Sequence, residues 1–134
     1  DFLTLMLQGL IFTINRKFGD ALRVFSLIPY ESVPEKMRPS INVDRAWCLV
    51  NTERSDQAWE LAEAALTDIK SIVEDDEIAY AYSRLSQVAA ECGHLTESVD
   101  FRSHAERALE RHRAFQGCLL VKLNTLNTEN KNPA

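Results

Sequence analysis

The most constraining feature of this 134-residue sequence is a short segment that occurs three times, at residues 19–25, 56–62 and 97–102. In each copy a small residue is followed by apolar and charged residues, and the copies align on Ala21, Ala58 and Ser98. Successive copies are offset by about 37 and about 40 residues, a repeat length typical of stacked helical hairpins. The sequence therefore predicts an array of such hairpins.

Composition narrows the fold class and the ligands. Hydrophobic residues make up 46% of the chain and charged residues 26%, which is usual for a globular domain. Only four glycines and four prolines interrupt the chain, which favours long helices over a many-turned β fold. The net charge of -5 argues against direct nucleic-acid binding, because phosphate contacts need a basic surface. We therefore expect an all-α domain.

Cysteine usage and hydropathy bear on location. Cys48, Cys92 and Cys118 are widely spaced and odd in number, which fits free thiols in a reducing compartment and predicts a cytoplasmic protein. No apolar run approaches the roughly 18 residues that a membrane span requires, so no membrane partner is expected. The chain begins with Asp1 rather than Met, so we expect an excerpt of a longer protein from which a targeting signal could be missing.

The apolar spacing predicts a single domain over residues 1–126. Its three hairpin units cover about 2–33, 40–73 and 75–112, followed by a closing helix at 114–126 and a flexible tail at 127–134. In the first unit the helices are expected at about 2–15 and 20–27. In the second unit, the third helix of the chain is expected to begin near Ser40 or Ile41, and the fourth is expected to extend to Ile72. Helix six is expected from about Phe101 to Phe115.

Several residues are expected to set the turns. Gly19 is expected to take a positive φ and Asp20 to cap the second helix, while Ser55 is expected to cap the fourth and Gly93 to end the fifth. Pro29, Pro34 and Pro39 predict the main joint of the chain. The acidic run 74–77 fits a helix N-terminus better than a calcium loop, because the glycine and alternating ligands of an EF-hand are missing.

The pattern of small and large residues resembles the tetratricopeptide repeat, a helical-hairpin unit. The third unit matches best, with Leu85, Ser86, Ala89, Gly93, Leu95, Ser98 and Ala105 in the family's order of large, small and turn positions. The first unit matches through Gly9, Phe12, Phe18, Ala21, Phe25 and Ile28, and the second through Ala46, Leu49, Ala58, Ala62 and Ala65. The resemblance covers almost the whole chain and implies an α-solenoid of three such repeats plus the closing helix.

Three features depart from that family. The repeats are longer than its usual length of about 34 residues, which longer helices would explain. Arg45 stands where a leucine is expected, and Arg102 replaces the customary aromatic residue. Either the alignment is shifted by one residue or these sites open to solvent in an irregular repeat.

Catalytic and metal chemistry find little support in the sequence. Cys92 and His94 flank a turn, yet no second Cys or His pair lies at ligand spacing. His104 and His112 lie among the basic and acidic residues of 102–113, a pattern typical of a solvated helix face, with an acidic partner as the alternative. There is no nucleophile elbow or phosphate-binding loop. We expect a non-catalytic protein without cofactor or metal.

The resemblance implies a concave groove formed by the first helix of each unit, and this groove is the expected partner-binding site. Its residues are Leu3, Met6, Leu10, Val43, Trp47, Val50, Asn51, Tyr80, Ser83, Gln87 and Glu91. Some members of the family hold a peptide carboxylate with lysines and asparagines at such positions, but this groove has no lysine. We therefore expect a protein or peptide partner, helical or extended, with apolar anchors near Trp47 and Tyr80.

The first predicted helix is apolar on nearly every side, which leaves an alternative open. Such a helix indicates either a truncated array or a contact with a second copy. The corresponding function is a self-associating or signal-sensing arm of a regulator, because bacterial regulators carry similar elongated repeats.

Replacing Ala58 should test the predicted close helix contact. Ala58→Leu should lower the free energy of unfolding by roughly 2 kcal/mol through overpacking, as measured in thermal melts. Trp47→Ala should weaken partner binding more than it lowers stability. If thermal melts show that Trp47→Ala lowers stability more than Ala58→Leu does, the groove assignment is wrong.

Overall fold

The computed structural model describes residues 1–131, and these form six α helices, three 3-10 helices and no strand. The helices are α1 Phe2–Ile14, α2 Phe18–Ser26, α3 Arg38–Val50, α4 Ser55–Asp68, α5 Asp75–Glu91 and α6 Leu95–Lys131. Two 3-10 helices, Tyr30–Ser32 and Glu35–Met37, occupy the proline-rich joint, and the third, Ile69–Ser71, follows α4. The predicted all-α class is confirmed.

The helices pack against one another in chain order. α1 packs on α2, α3 on α4 and α5 on α6, so consecutive helices form three hairpins. Contacts between hairpins run from α2 to α3 and from α4 to α5, and the first helices also meet, α1 with α3 and α3 with α5. The face shared by α1, α3 and α5 is therefore built from the first helix of every hairpin.

The three hairpin turns have the same backbone design. Arg16, Glu53 and Gly93 take left-handed φ values of 61°, 62° and 84°. In each turn the N–H of the next residue donates to the carbonyl five residues earlier, at 2.8 to 2.9 Å, which satisfies a free end of the preceding helix. Gly93 ends α5 as predicted. The left-handed positions repeat with the same spacings as the three aligned segments.

The expected roles of Gly19 and Asp20 are wrong. Gly19 lies inside α2, which begins at Phe18, and Arg16 instead takes the positive φ that the turn needs. Gly19 is not required there because the turn closes before it, through the Lys17 N–H. Asp20 lies in the first turn of α2 and pairs with Arg23 at 2.9 Å.

Buried small residues lie where each hairpin crosses. Ala21, Ala58 and Ser98, the three aligned positions, are at most 3% exposed. Ser86 and Ser98 exchange hydroxyl hydrogen bonds, each Oγ donating to the other's carbonyl at 2.8 Å. Gly9 is buried against the ring of Phe25. Close helix contact thus depends on short side chains in all three hairpins.

The main core joins the second and third hairpins. Ala46, Ala58, Ala62 and Ala65 pack there with Val43, Leu49, Leu85, Val88, Ala89, Phe101 and neighbouring aliphatic residues. A second cluster, with Ala21, Phe25, Val33, Ile41 and Cys48, joins the first hairpin to α3. Leu22 packs against both clusters, so the two cores are continuous.

Two predicted helix limits in the second hairpin differ from the structure. α3 begins at Arg38, before the predicted Ser40 or Ile41, because a proline in the first turn lacks only an N–H that would be unpaired anyway. α4 ends at Asp68 and tightens into a 3-10 turn, rather than continuing to Ile72. Ser55 is the first residue of α4 and not its cap, which is Arg54.

The C-terminal part of the chain differs most from the prediction. The sixth helix and the closing helix at 114–126 are one continuous helix, α6, which also includes residues 127–131 of the predicted flexible tail. The remaining tail residues lie outside the described part. No proline interrupts 95–131, and Gly117 alone does not break a helix. At about 1.5 Å per residue, α6 is about 55 Å long.

Within residues 1–131, no helix combines the length and the apolar character needed to cross a membrane.

Gly9→Ala should destabilise the protein by about 1 to 2 kcal/mol through overpacking. An added Cβ would overlap the ring of Phe25, a buried residue, so the ring or the helix would have to shift. This overpacking outweighs the gain of up to about 1 kcal/mol in helix propensity. Urea unfolding measures the change.

Gly19→Ala is the matched control, because Gly19 is also helical and no atom beyond its chain neighbours and its own helix backbone lies within 4 Å of an added Cβ. It should be neutral or stabilising. Equal effects of the two substitutions would contradict the close contact at Gly9.

Candidate binding groove

A cavity lies on the face shared by α1, α3 and α5, where the groove is predicted. Its volume is about 780 Å³. We call it the main cavity. Its lining is Met6, Leu10, Thr13, Ile14, Arg16, Phe18, Lys36, Met37, Ser40, Ile41, Asp44, Trp47, Asp76, Glu77, Tyr80 and Arg84.

One wall of the main cavity is apolar. α1 contributes Met6, Leu10 and Ile14, which recur on one face because residues three and four apart lie above one another on a helix. Phe18 at the start of α2 and Met37 before α3 extend this wall. Met6, Leu10, Phe18 and Met37 are half-buried, so they leave apolar surface open to a ligand.

The opposite wall is polar and centres on a buried carboxylate. Asp44 of α3 is 5% exposed, and the Tyr80 hydroxyl donates a hydrogen bond to its Oδ1 at 2.5 Å. Arg84 Nε lies 3.7 Å from the same oxygen. The guanidinium carbon lies 5.1 Å from the ring centre of Trp47 and 5.8 Å from that of Tyr80. We call Asp44, Trp47, Tyr80 and Arg84 the Asp44 cluster.

Burial dominates the ionisation of this cluster. Removal from water raises the pKa of Asp44 to about 6, against the opposing effects of the Tyr80 hydrogen bond and the Arg84 charge. Burial, followed by the negative charge of Asp44, raises the pKa of Tyr80 to about 12. The Tyr80 hydroxyl therefore stays protonated and can donate a hydrogen bond at neutral pH. Neutral pH lies only about one unit above the raised pKa of Asp44.

Charged residues of both signs surround the cavity opening. Arg16 and Lys36 bring positive charge, and Asp76 and Glu77 of the first turn of α5 bring negative charge. Burial raises the pKa of Glu77, and Glu74 and Asp76 add to this effect while Lys36 opposes it. The acidic run 74–77 lies at the N-terminus of α5, as predicted, and Asp76 and Glu77 also line the main cavity.

The structure brings together seven of the eleven residues predicted for the groove. Met6, Leu10, Trp47 and Tyr80 line the main cavity. Trp47 also lines a neighbouring side cavity of about 400 Å³, together with Ser83, Gln87 and Glu91. Trp47 thus lies between the main cavity and the side cavity and borders both.

Four predicted residues lie outside these two cavities. Val43 is fully buried in the main core and Val50 packs against that core, because both face α4 and α5 rather than the groove. Leu3 is 45% exposed on the outer side of α1. Asn51 caps α3 by donating to the Trp47 carbonyl at 2.8 Å and borders a separate hollow with residues 16–20.

Sequence reasoning missed Asp44 and Arg84. Helical spacing could have found them, because Asp44 lies three residues before Trp47 and Arg84 four residues after Tyr80, each on the same helix face as its neighbour. An acid and a base on adjacent first helices are then expected to meet.

Two of the three histidines stack on aromatic rings, and two of the three cysteines, Cys48 and Cys92, are at least partly buried. His94 stacks on Trp59 with 3.8 Å between ring centres, and His104 stacks on Tyr82 at 4.7 Å. Burial raises the pKa of Cys48 and of Cys92, which keeps both thiols protonated at neutral pH. In the described part of the chain, no three His, Cys, Asp or Glu residues cluster closely enough to hold a metal ion.

Comparisons of the chain with protein-family models, with curated proteins and with solved structures find no match. The geometry of the groove is therefore the basis for a functional proposal.

Asp44→Asn should change the pH dependence of stability. The pKa of Asp44 in the folded state, about 6, lies above the ordinary 3.8, so the folded protein binds more protons between these values. The contribution of Asp44 to wild-type stability should therefore fall as pH rises from about 4 to about 6. The amide cannot ionise, so the stability of Asp44→Asn relative to wild type should rise by about 2 kcal/mol over this range.

Urea unfolding at a series of pH values measures this difference. Glu60→Gln, the same chemical change on an exposed side chain of α4, serves as control. Parallel pH profiles for wild type and Asp44→Asn would show that the Asp44 carboxyl is not desolvated in the fold.

Proposed function

We propose that the chain is a non-catalytic protein-binding module that holds a segment of a partner protein in the groove on α1, α3 and α5. The main cavity carries this proposal, because its apolar wall faces a wall of hydrogen-bonding and charged groups. An amphipathic segment would place bulky apolar side chains against Met6 and Leu10. Its polar side would face Tyr80 and the charges at the opening.

The Asp44 cluster supports a role in recognition rather than catalysis. Arg84 is held between two aromatic rings and donates through Nη1 to Gln87 at 2.9 Å, so its position is fixed before a partner arrives. Trp47 is half-buried, with part of its ring free. Fixed aromatic and arginine side chains lose little entropy on binding and are common at interface centres.

The order of helix contacts supports the tetratricopeptide-like α-solenoid as the architecture of this module. Each first helix meets the next first helix, and each second helix meets the following first helix. The three equivalent turns at Arg16, Glu53 and Gly93 support three equivalent units. Three free cysteines support a reducing compartment such as the cytoplasm.

A second candidate function is signal sensing, with this chain as the sensor domain of a larger regulator. The volume of the main cavity, about 780 Å³, lies within the range of small-molecule sites, which runs from about 300 to 1,000 Å³. A small amphipathic ligand would use the same two walls. Competition between such a ligand and a bound peptide would separate the two functions.

The proposal is tested with peptides selected from a random phage-displayed library against the whole chain. Peptides that bind the groove should lose at least about tenfold in affinity with Trp47→Ala, because the ring connects both cavities. Titration calorimetry measures the affinity.

Trp59→Ala is the matched control, because Trp59 is the other tryptophan and stacks on His94 away from the groove. It should lower stability yet leave affinity within about twofold at a temperature where the variant is folded. Selected peptides that bind both variants equally well would argue against the groove as the binding site.

A further inference from the structure

The last part of α6 extends away from the rest of the described chain. Every side chain from 113 to 130 is exposed. We call residues 113–131 the arm. Phe115, Leu119, Leu123 and Leu126 are 43% to 60% exposed and follow spacings of four, four and three residues. This spacing places all four on one face, which we call the arm stripe.

The arm has little support of its own as a helix. It contains Gly117 and, near its end, Asn124, Thr125, Asn127 and Thr128, all of which are weak helix formers. Most helical stability in proteins comes from packing an amphipathic face rather than from propensity. A covering partner would supply the packing that this segment lacks.

A second uncovered stripe lies at the other end of the chain. Leu3, Leu7, Ile11 and Ile14 of α1 are 45% to 77% exposed. Their spacings are also four, four and three residues, so this α1 stripe has the same length and the same helical face geometry as the arm stripe. Both stripes are exposed in one molecule, so they do not cover each other.

The charges of the two regions are opposite. The segment 113–134 contains three basic residues and one acidic residue, a net charge of +2. The segment 1–112 contains twelve basic and nineteen acidic residues, a net charge of -7. Two basic arms therefore repel each other, whereas an arm is attracted to the acidic body of another copy. Because α1 itself contains no charged residue, charge disfavours pairing of two arms, and the matched apolar stripes select α1 as the surface that the arm contacts.

We propose that the arm of one copy packs its stripe along the α1 stripe of a second copy. Both stripes span eleven residue steps, or about 16 Å, so two packed helices bring all eight large apolar side chains into one contact. The contact joins two different surfaces and is therefore heterologous; it closes as a reciprocal pair or continues as a chain.

The test uses the full chain with one substitution in each stripe, Leu7→Glu and Leu123→Glu. Sedimentation velocity from about 1 μM to about 1 mM should show self-association of the wild type and at least a tenfold weaker association of each variant alone. An equimolar mixture of the two should form a heterodimer, because one variant keeps its arm stripe and the other its α1 stripe. That complementation is specific to a heterologous contact.

Gln8→Glu and Val121→Glu are the controls, because both positions are exposed on the same helices but outside the stripes. Both should associate like the wild type. If a stripe variant loses its helical circular dichroism signal, Leu7→Ala or Leu123→Ala replaces it. A wild type that stays monomeric, a stripe variant that associates like the wild type, or a mixture without heterodimer would each overturn the proposal.

Discussion

Close crossing of two helices at a pair of small residues is the interaction on which this architecture depends. In every hairpin the two small residues are separated by twelve positions: Gly9 and Ala21, Ala46 and Ala58, Ser86 and Ser98. Chemistry differs between the pairs, since a phenyl ring fills the space at Gly9 and two hydroxyls exchange hydrogen bonds at Ser86 and Ser98. The three pairs share their spacing along the chain and their burial. Because each hairpin closes tightly in the same place, the first helices lie side by side and form one continuous face.

The face formed by α1, α3 and α5 includes a carboxyl group, that of Asp44, which is buried away from water. Asp44 accepts from Tyr80 and lies near Arg84, but Arg84 Nε has no hydrogen-bond partner in the described part of the chain. A buried ion pair with an unsatisfied donor contributes little to stability, since desolvation offsets the attraction. Two apolar side chains of similar volume would serve folding as well. A gain in stability therefore does not by itself explain the Asp44 cluster.

Much of the fold could be predicted, because burial leaves a periodic record in the sequence. The aligned positions Ala21, Ala58 and Ser98 are buried, since only short side chains fit a crossing. The turns were harder to place. Arg16 and Glu53 take left-handed φ values that favour glycine, so the surrounding hairpin determines their conformation and not the residue itself. The sequence predicts two helices in place of α6, because the apolar pattern changes near residue 113. No residue there breaks a helix, and α6 is continuous.

The groove was predicted only in part, for a related reason. Periodicity identifies which face of a helix is buried, but it does not distinguish a side chain that lines a cavity from one in a closed core. Val43 lies in the closed core, whereas Trp47 lines the main cavity. α1 shows the consequence most clearly, because Ile14 belongs to the α1 stripe and also lines the main cavity. A helix packed along that stripe would reach the edge of the groove. Self-association through α1 and partner binding in the groove would then be energetically coupled, since each changes the surface available to the other.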